Sequence, residues 1–342
     1  ARSLGKLGTV ATPASQKLFV AAKDVDADVR GQAVFALTAL GIEPDVLVPV
    51  LAHAMQDPSA SVRRLAIDAL AKMGSSAKSL INPLIAALDD RDVSVRRTAA
   101  ATVGELAADG AAAVEKLINI LKDMDPEVRA NAARALGKIG VDDAAVTRAL
   151  TELLSNSNVP TALAAVNSLA TFGEKANFSL PELAKLLQHG QPTLRAAAVA
   201  ALPRIEHDSK KIVPLLILSL EDDDWNVRKA TAATLGQIGA PAKSAVPVLF
   251  AMLRSEDDSE AARSALREID AVGPEAVPVL IRALEVDDGR VRYYAVFYLG
   301  KLGPAAKDAL PALRRLTGDD SGFRFRSFLT KTIKSIEEKS DN

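Results

Sequence analysis

The dipeptide Val-Arg returns at intervals of 33 residues along this chain of 342 residues. A leucine or valine stands eight residues after each of these valines and keeps the same period. A fixed period of this size is typical of a repeat array, in which each unit packs only on its neighbours. The pairs begin at Val29, Val62, Val95, Val128 and Val227, and Leu194-Arg195 keeps the register with one conservative change.

Each period contains two helical patterns. In residues 74–107, apolar residues recur at helical spacing over 80–88 and again over 95–106. Between the two patterns lies an acidic turn at 89–92, where aspartates can cap the second helix and oppose the positive end of its dipole. The unit is therefore predicted to consist of helix A, an acidic turn, helix B and a glycine break.

Counting the leucine positions gives about ten helix pairs after a leading fragment, without a long linker or a β pattern. We therefore predict a single all-α solenoid over residues 1–342. The segment Leu4-Gly5-Lys6-Leu7-Gly8 has the form that ends other repeats. Residues 1–8 are therefore expected to end a truncated repeat, and the sequence to be a fragment of a longer protein. Residues from about 309 to 342 are predicted to form a C-terminal capping repeat.

The combined motif is an acidic turn, then x-x-Val-Arg-x-x-Ala, then Ala-Leu-Gly-x-Ile-Gly. It resembles the short HEAT-like repeats first associated with phycobilisome lyases, and the match covers essentially the whole chain. The period is shorter than that of the longer HEAT class. The resemblance implies an armadillo-like, right-handed α-solenoid with A helices outside and B helices lining a concave face. We expect a bacterial repeat protein.

The residues offer little for catalysis. The chain has no cysteine, and His53, His189 and His207 fall in different repeats without the spacing of metal ligands. No Ser/His/Asp arrangement is suggested by order or context. We therefore predict no catalytic site, no metal and no cofactor, so that the chain is not expected to be an enzyme.

Charge and hydropathy narrow the class of partner. The net charge is −1, whereas nucleic-acid-binding proteins usually carry a basic excess, so nucleic acid is not the expected partner. No apolar stretch is long enough for membrane insertion. No signal peptide is visible, which leaves the compartment open and favours the cytoplasm slightly. We expect a monomer that binds a protein or a peptide.

The arginine of each Val-Arg pair is predicted to be structural. Each one lies near an acidic turn, and stacking brings it close to an aspartate of the next repeat. In the family that the chain resembles, such a ladder of Arg–Asp pairs ties the repeats together. An exposed pair contributes about 0.2–1 kcal/mol, so the ladder is expected to set the register of the stack more than its stability.

The position one residue after this arginine is predicted to face the groove. It changes along the array from basic to small to aromatic, as a surface position can. Aromatic side chains are favoured binding hot spots. The alternative is that the aromatic rings pack under the last repeat, where Phe323, Phe325 and Phe328 complete an end cap. The predicted partner-binding residues are Arg64, Arg97, Lys229, Tyr293, Tyr294, Phe297 and Tyr298.

The preferred function is a non-catalytic scaffold that binds a protein or peptide partner in its concave groove. Two alternatives stay open. The resemblance to phycobilin lyases implies an accessory subunit or an enzyme that places a tetrapyrrole on the cysteine of another protein. Basic pairs such as Arg63-Arg64 and Arg96-Arg97 leave a HEAT-like nucleic-acid-binding protein as the second alternative.

One repeat departs from the pattern, because residues 155–163 lack both the acidic turn and the arginine. The stability of an array is nearly a sum of local and neighbour terms. We therefore predict that residues 155–165 are locally less stable than residues 90–106. Hydrogen–deuterium exchange followed by mass spectrometry should show faster exchange in the first segment, and equally slow exchange in both segments would contradict this prediction.

Overall fold

A computed structural model describes residues 15–141, 143–270, 272–317 and 323–338. Within these residues the secondary structure is helical, and no strand occurs among them. The chain divides into two units, residues 1–182 and 183–342, and the boundary falls within helix α11 (Leu180–Leu186). Residues 1–8, which were predicted to end a truncated repeat, lie outside the described residues.

In the first unit, A and B helices alternate along the chain as predicted. Odd-numbered helices are A helices and even-numbered helices are B helices. They are α1 (Ser15–Ala21), α2 (Ala27–Ala39), α3 (Pro44–Ala54), α4 (Ala60–Met73), α5 (Ile81–Ala86), α6 (Val93–Glu105), α7 (Val114–Ile120), α8 (Pro126–Ile139), α9 (Ala144–Glu152) and α10 (Val159–Phe172).

The second unit continues the same alternation. Its last described pair, α19 and α20, occupies the region predicted as the capping repeat. The helices that follow α11 are α12 (Pro192–Ile205), α13 (Ser209–Ser219), α14 (Trp225–Ile238), α15 (Val246–Met252), α16 (Ser259–Ile269), α17 (Val277–Leu284), α18 (Gly289–Leu302), α19 (Leu310–Leu316) and α20 (Phe323–Glu338).

The glycine breaks end the B helices by a change of backbone conformation. Gly74 and Gly303 both have a φ of 55°, in the left-handed region that glycine adopts without steric cost. A short 3-10 segment then leads into the next helix A, as at Gly74–Leu80 and Gly303–Ala309. At the end of α16, Asp270 takes the corresponding place with a φ of 40°.

The recurring leucine or valine of each B helix forms the core of its repeat. Each of these side chains is at most 1% exposed: Leu37, Leu70, Val103, Leu136, Leu169, Leu202, Leu235, Leu266 and Leu299. The glycine that often follows lets successive B helices approach closely. A Cβ built on Gly104 would lie 2.8 Å from the Cα of Ala135, so only glycine fits there at this helix separation.

The predicted Arg–Asp ladder is present, and each of its pairs is called a rung below. In a typical rung, Arg63 donates from Nε and Nη2 to the two carboxylate oxygens of Asp90, both at 2.7 Å. The arginine belongs to one repeat and the aspartate to the next. The described rungs are Arg30–Asp57, Arg63–Asp90, Arg96–Asp123, Arg195–Asp222 and Arg228–Asp258.

Each rung arginine also holds the turn of its own repeat. Arg63 Nη1 donates to the carbonyl oxygens of Asp57 at 2.8 Å and Pro58 at 3.0 Å. The side chains of Arg63 and Asp90 are only 8% and 11% exposed. The rungs were expected to be exposed pairs, and this was wrong, because the turns and helices enclose the guanidinium. Losing one partner therefore costs more than the loss of a surface ion pair.

Two aspartates of the acidic turn have different structural roles. Asp90 accepts from Arg63 and from the backbone N–H of Asp92. Asp92 then caps α6 by accepting from the backbone N–H of Ser94 at 2.9 Å. One carboxylate therefore joins neighbouring repeats while the next one starts helix B, which explains why acidic residues recur as a cluster.

The repeat with the irregular sequence replaces a rung by other hydrogen bonds. Asn156 stands 27 residues after Arg129, where intact rungs have aspartate. Hydroxyl groups on α10 instead donate to carbonyl oxygens of the preceding repeat, from Thr161 to Pro126 at 3.0 Å and from Ser168 to Ala133 at 2.8 Å. These bonds connect α10 to α8 at a place where the ladder is broken.

The buried rung leads to a stability prediction. Replacing Asp90→Asn leaves the Arg63 guanidinium enclosed without its carboxylate, and we expect a loss of about 3 kcal/mol in the free energy of unfolding of its unit. The matched control is Asp68→Asn, because Asp68 pairs with Arg64 on the surface and is 42% exposed. It should cost less than about 1 kcal/mol. Urea unfolding followed by circular dichroism measures the free energy of unfolding of both variants. Equal losses in the two variants would contradict the conclusion that the rung is enclosed.

Candidate partner-binding surface

Two of the basic residues predicted to bind a partner are engaged in ion pairs within the first unit. Arg64 donates to Asp68 one turn later on α4 at 2.8 Å. Arg97 donates to both carboxylate oxygens of Asp125, at 2.9 and 2.5 Å, and lies 2.9 Å from a carboxylate oxygen of Glu127. Both arginine side chains are 39% exposed. They are partly exposed, and their charges are compensated by neighbouring carboxylates; their place in a binding groove stays a prediction.

The Arg97–Asp125 pair adds a second connection between two repeats that a rung already joins. Asp125 also caps α8 by accepting from the backbone N–H groups of Glu127 and Val128. The hydrogen bond from Arg97 lowers the pKa of Asp125 to about 2, and the cap bonds act in the same direction. Arg97 therefore contributes to the framework as well as to the surface.

Lys229 lies on the surface of α14 in the second unit, above the ring of Trp225. Its Nζ is 5.6 Å from the ring centroid, within the range of a cation–π contact. Trp225 is the first residue of α14 and is 49% exposed. The two side chains border a cavity of about 300 Å³ that also has Asp257, Glu260 and Glu268 in its lining.

The aromatic residues of α18 divide between surface and core. Tyr293 is 48% exposed and stacks on Phe328 of α20, with ring centroids 5.0 Å apart. Tyr294 meets Tyr293 edge to face at 5.9 Å and lines a cavity of about 410 Å³ together with Arg254 and Asp288. Phe297 is half-buried, and Lys301 Nζ lies 5.2 Å from its ring centroid.

Tyr298 lies in the core, and its predicted place on the binding surface was wrong. It is 1% exposed, packs edge to face against Phe250 at 5.6 Å, and donates from its hydroxyl to the carbonyl oxygen of Leu266. Burial raises the pKa of this hydroxyl to about 12. Arg267 replaces the glycine that lets other B helices approach, and the large Tyr298 ring stands where other repeats have alanine, serine or threonine.

The rings of α18 thus divide between core packing and partial exposure, and a partner-binding role for the exposed rings stays a prediction. Tyr298 packs inside the repeat, and Tyr293 joins the last described helix through Phe328 while half of its surface stays exposed. The side chain of Phe323, which was predicted to take part in the cap, lies outside the described side chains.

A family model for HEAT repeats matches the chain over residues 15–103, 81–170, 114–202, 180–270 and 246–330. The chain belongs to the HEAT-repeat family. This confirms the family that the motif resembled, together with the predicted all-α class of helix pairs. No curated protein matches the sequence.

Importin beta and Kap121p show the same repeat fold. Importin beta is 17% identical with a TM-score of 0.58, over 97% of this chain and 53% of that chain. Kap121p bound to Pho4p is 16% identical with a TM-score of 0.53, over 94% of this chain and 41% of that chain. The complex of CpcE and CpcF of phycocyanin lyase from Nostoc sp. PCC7120 is 24% identical over 70% of this chain and 92% of that chain, with a TM-score of 0.43.

The HEAT chain spans about half of importin beta and about two fifths of Kap121p. At these identities the likeness establishes the repeat fold alone.

Trp225 is a surface residue that does not belong to the predicted partner-binding set. It lies two residues before the Val-Arg pair of α14. In the HEAT repeat, Asp224 caps α14 by accepting from the backbone N–H groups of Asn226 and Val227, so the turn is closed without the indole. The signal that could have identified it is composition, since it is the single tryptophan in a chain with 4% aromatic residues.

Two further observations concern the described residues only. No cluster of three or more His, Asp or Glu side chains with the arrangement of a metal site occurs among them. None of their helices combines the length and the apolar character that a membrane crossing requires.

The low pKa of Asp125 predicts how the stability of the fold changes at acidic pH. Because its folded pKa of about 2 lies below the ordinary value of 3.8, the stabilisation is complete above pH 3.8 and is lost as the pH falls towards 2. Arg97→Gln should raise the Asp125 pKa towards 3.8, as measured by carbon-13 NMR of the carboxyl group. It should also make unfolding less dependent on pH in this interval.

The control for this titration is Arg64→Gln, which removes a similar cation that contacts Asp68 instead. It should leave the Asp125 titration unchanged. An Asp125 pKa that stays near 2 in Arg97→Gln would show that the cap bonds alone lower it.

Proposed function

We propose that this HEAT chain is a non-catalytic scaffold that binds a protein or peptide partner through the B helices of its second unit. The observation that supports this most strongly is the pair of half-exposed aromatic residues, Trp225 at 49% and Tyr293 at 48%. Among the described aromatic residues, only Phe178 is exposed to a similar degree, at 45%. Tryptophan and tyrosine are among the side chains most enriched in binding hot spots.

The two rings occupy related positions on their helices. Trp225 stands two residues before Val227 on α14, and Tyr293 stands two residues after Val291 on α18. Positions four residues apart share one face of a helix, so the two rings belong to the same face of the B helices. Lys229 has the same position within its repeat as Tyr293. We define this B-helix face by Trp225, Lys229, Tyr293 and Phe297.

The chemistry of the B-helix face suits a polypeptide better than a reacting substrate. Indole and phenol rings offer apolar area together with one polar atom each, at a low cost in conformational entropy. Near Trp225, Glu260 and Glu268 add acceptors for basic or amide groups of a partner. Kap121p was solved bound to Pho4p, and this use of the same fold agrees with the proposal.

The test compares protein capture by matched variants. Three forms of the chain of residues 1–342 are immobilised: the wild type, the double variant Trp225→Ser/Tyr293→Ser and the control Leu218→Ser. The proteins that each form captures are quantified by mass spectrometry. Leu218 is 69% exposed on helix α13, so its replacement also removes exposed apolar surface but from an A helix. Loss of one aromatic hot spot costs about 2 kcal/mol, or about thirtyfold in affinity.

We expect specific partners to bind the wild type and Leu218→Ser equally and to be lost from the double variant. Thermal unfolding followed by circular dichroism checks that both variants are folded. If all three proteins capture the same partners, the proposal that the B-helix face binds them is contradicted. Failure to enrich any protein on the wild type would contradict the scaffold function itself.

A further inference from the structure

Arg129 on α8 is oriented like a rung arginine but lacks a rung partner. Its Nη1 donates to the carbonyl oxygens of Asp123 at 2.7 Å and Met124 at 3.0 Å. The corresponding bonds of Arg63 measure 2.8 and 3.0 Å. The turn therefore fixes both guanidinium groups in the same way, with Nε and Nη2 on the edge that binds aspartate in the intact rungs.

The Nε of Arg129 is buried and has no hydrogen-bond partner among the described residues. A buried N–H without an acceptor is unfavourable, and most proteins avoid it. In the intact rung of Arg63, this nitrogen donates to Asp90 at 2.7 Å. The open donor of Arg129 is thus a local defect of the ladder, and an acceptor placed there would remove it.

Asn156 stands at the aspartate position but does not complete the rung. Its single amide oxygen accepts from the backbone N–H of Asn158 at 3.0 Å. Asp90 makes the corresponding bond to Asp92 and still offers a second oxygen to Arg63, because a carboxylate has two acceptor atoms. The remaining NH2 group of an asparagine is a donor and cannot pair with a guanidinium.

Arg129 and Asn156 line one cleft of about 600 Å³ in the first unit, with Lys122, Arg148 and Glu152 around it. Lys122, Arg148 and Glu152 are exposed, and no ion pair joins these three side chains to one another. Asp123 also lines the cleft, but its carboxylate belongs to the rung with Arg96. With Asp123 paired, the cleft carries three cationic side chains against one carboxylate, which favours an anion.

We propose that this cleft is a carboxylate-binding site, in which an external carboxylate takes the place of the missing rung aspartate on Arg129. The planar guanidinium edge matches the two oxygens of a carboxylate, as Nε and Nη2 do in the rungs of Arg30, Arg63, Arg96 and Arg195. The carboxylate can come from an aspartyl side chain of a peptide or from a small organic acid. The site does not depend on the B-helix face of the second unit.

The test follows the Nε–Hε signal of Arg129 in the full-length chain by nitrogen-15 NMR, and Arg129→Lys identifies the signal by removing it. The probes are acetyl-Ala-Asp-Ala-amide, its Asn analogue, acetate and inorganic phosphate. We expect the Asp peptide to shift the Arg129 signal to saturation and the Asn peptide to leave it in place. Acetate binding as tightly as the Asp peptide identifies small acids as ligands, and tighter peptide binding identifies an aspartyl side chain.

Two variants of the cleft distinguish binding of a carboxylate to Arg129 from attraction of the carboxylate by net charge. Asn156→Asp restores the rung internally and should weaken binding of the Asp peptide about tenfold or more, because a charge-assisted bond is already made. Ser157→Asp adds the same charge beside the rung position and should weaken binding only about twofold, as an exposed charge does. Thermal unfolding should also show that Asn156→Asp stabilises the chain.

Four results would overturn the proposal. The first is an Arg129 signal that no carboxylate shifts, and the second is an equal response to the Asp and Asn peptides. The third is tighter binding of phosphate than of either carboxylate, since this would assign the cleft to a different class of anion. Equal weakening by Asn156→Asp and Ser157→Asp would likewise show that net charge, and not the rung geometry, attracts the ligand.

Discussion

The guanidinium group of the rung arginine connects the turn of its own repeat to the turn of the next repeat. Its planar set of five donors reaches in two directions at once. Arg63 Nη1 holds the carbonyl groups of its own turn, and Nε and Nη2 hold Asp90 of the next repeat. Lysine could not do both, because an ammonium group has no fixed fork. The arginine therefore joins consecutive turns, while the close approach of the B helices depends on small residues such as Gly104.

Departures from the repeat motif occur together with compensating changes nearby. Arg267 replaces a glycine, and the Tyr298 ring stands where other repeats have a small residue, with its hydroxyl on the carbonyl oxygen of Leu266. Loss of the rung at Asn156 is accompanied by hydroxyl groups on α10 that donate to backbone carbonyls of the preceding repeat. Because each repeat contacts mainly its neighbours, a local change can be balanced locally without altering the rest of the array.

The sequence predicted the features that repeat and that depend on local physics. Helix pairs, glycine breaks and rungs are visible because the same residues recur in most repeats with the same role. The burial of the rungs was missed, since it depends on how closely the turns enclose the arginine. The pairing of Arg97 with Asp125 was missed because it joins two repeats outside the recurring motif. The place of Tyr298 depends on the separation of two helices, which no single position in the sequence specifies.

The rungs and the helix caps use charged groups within the framework, and this bears on where recognition can occur. An arginine that already shares a buried carboxylate gains little from a second acceptor, whereas an unsatisfied donor or a half-exposed ring gains much. In a repeat array the satisfied groups recur, so groups available to a ligand are found where the recurrence fails. Arg129, Trp225 and Tyr293 fit this description. The repeat therefore specifies the architecture, and its exceptions carry the information about binding.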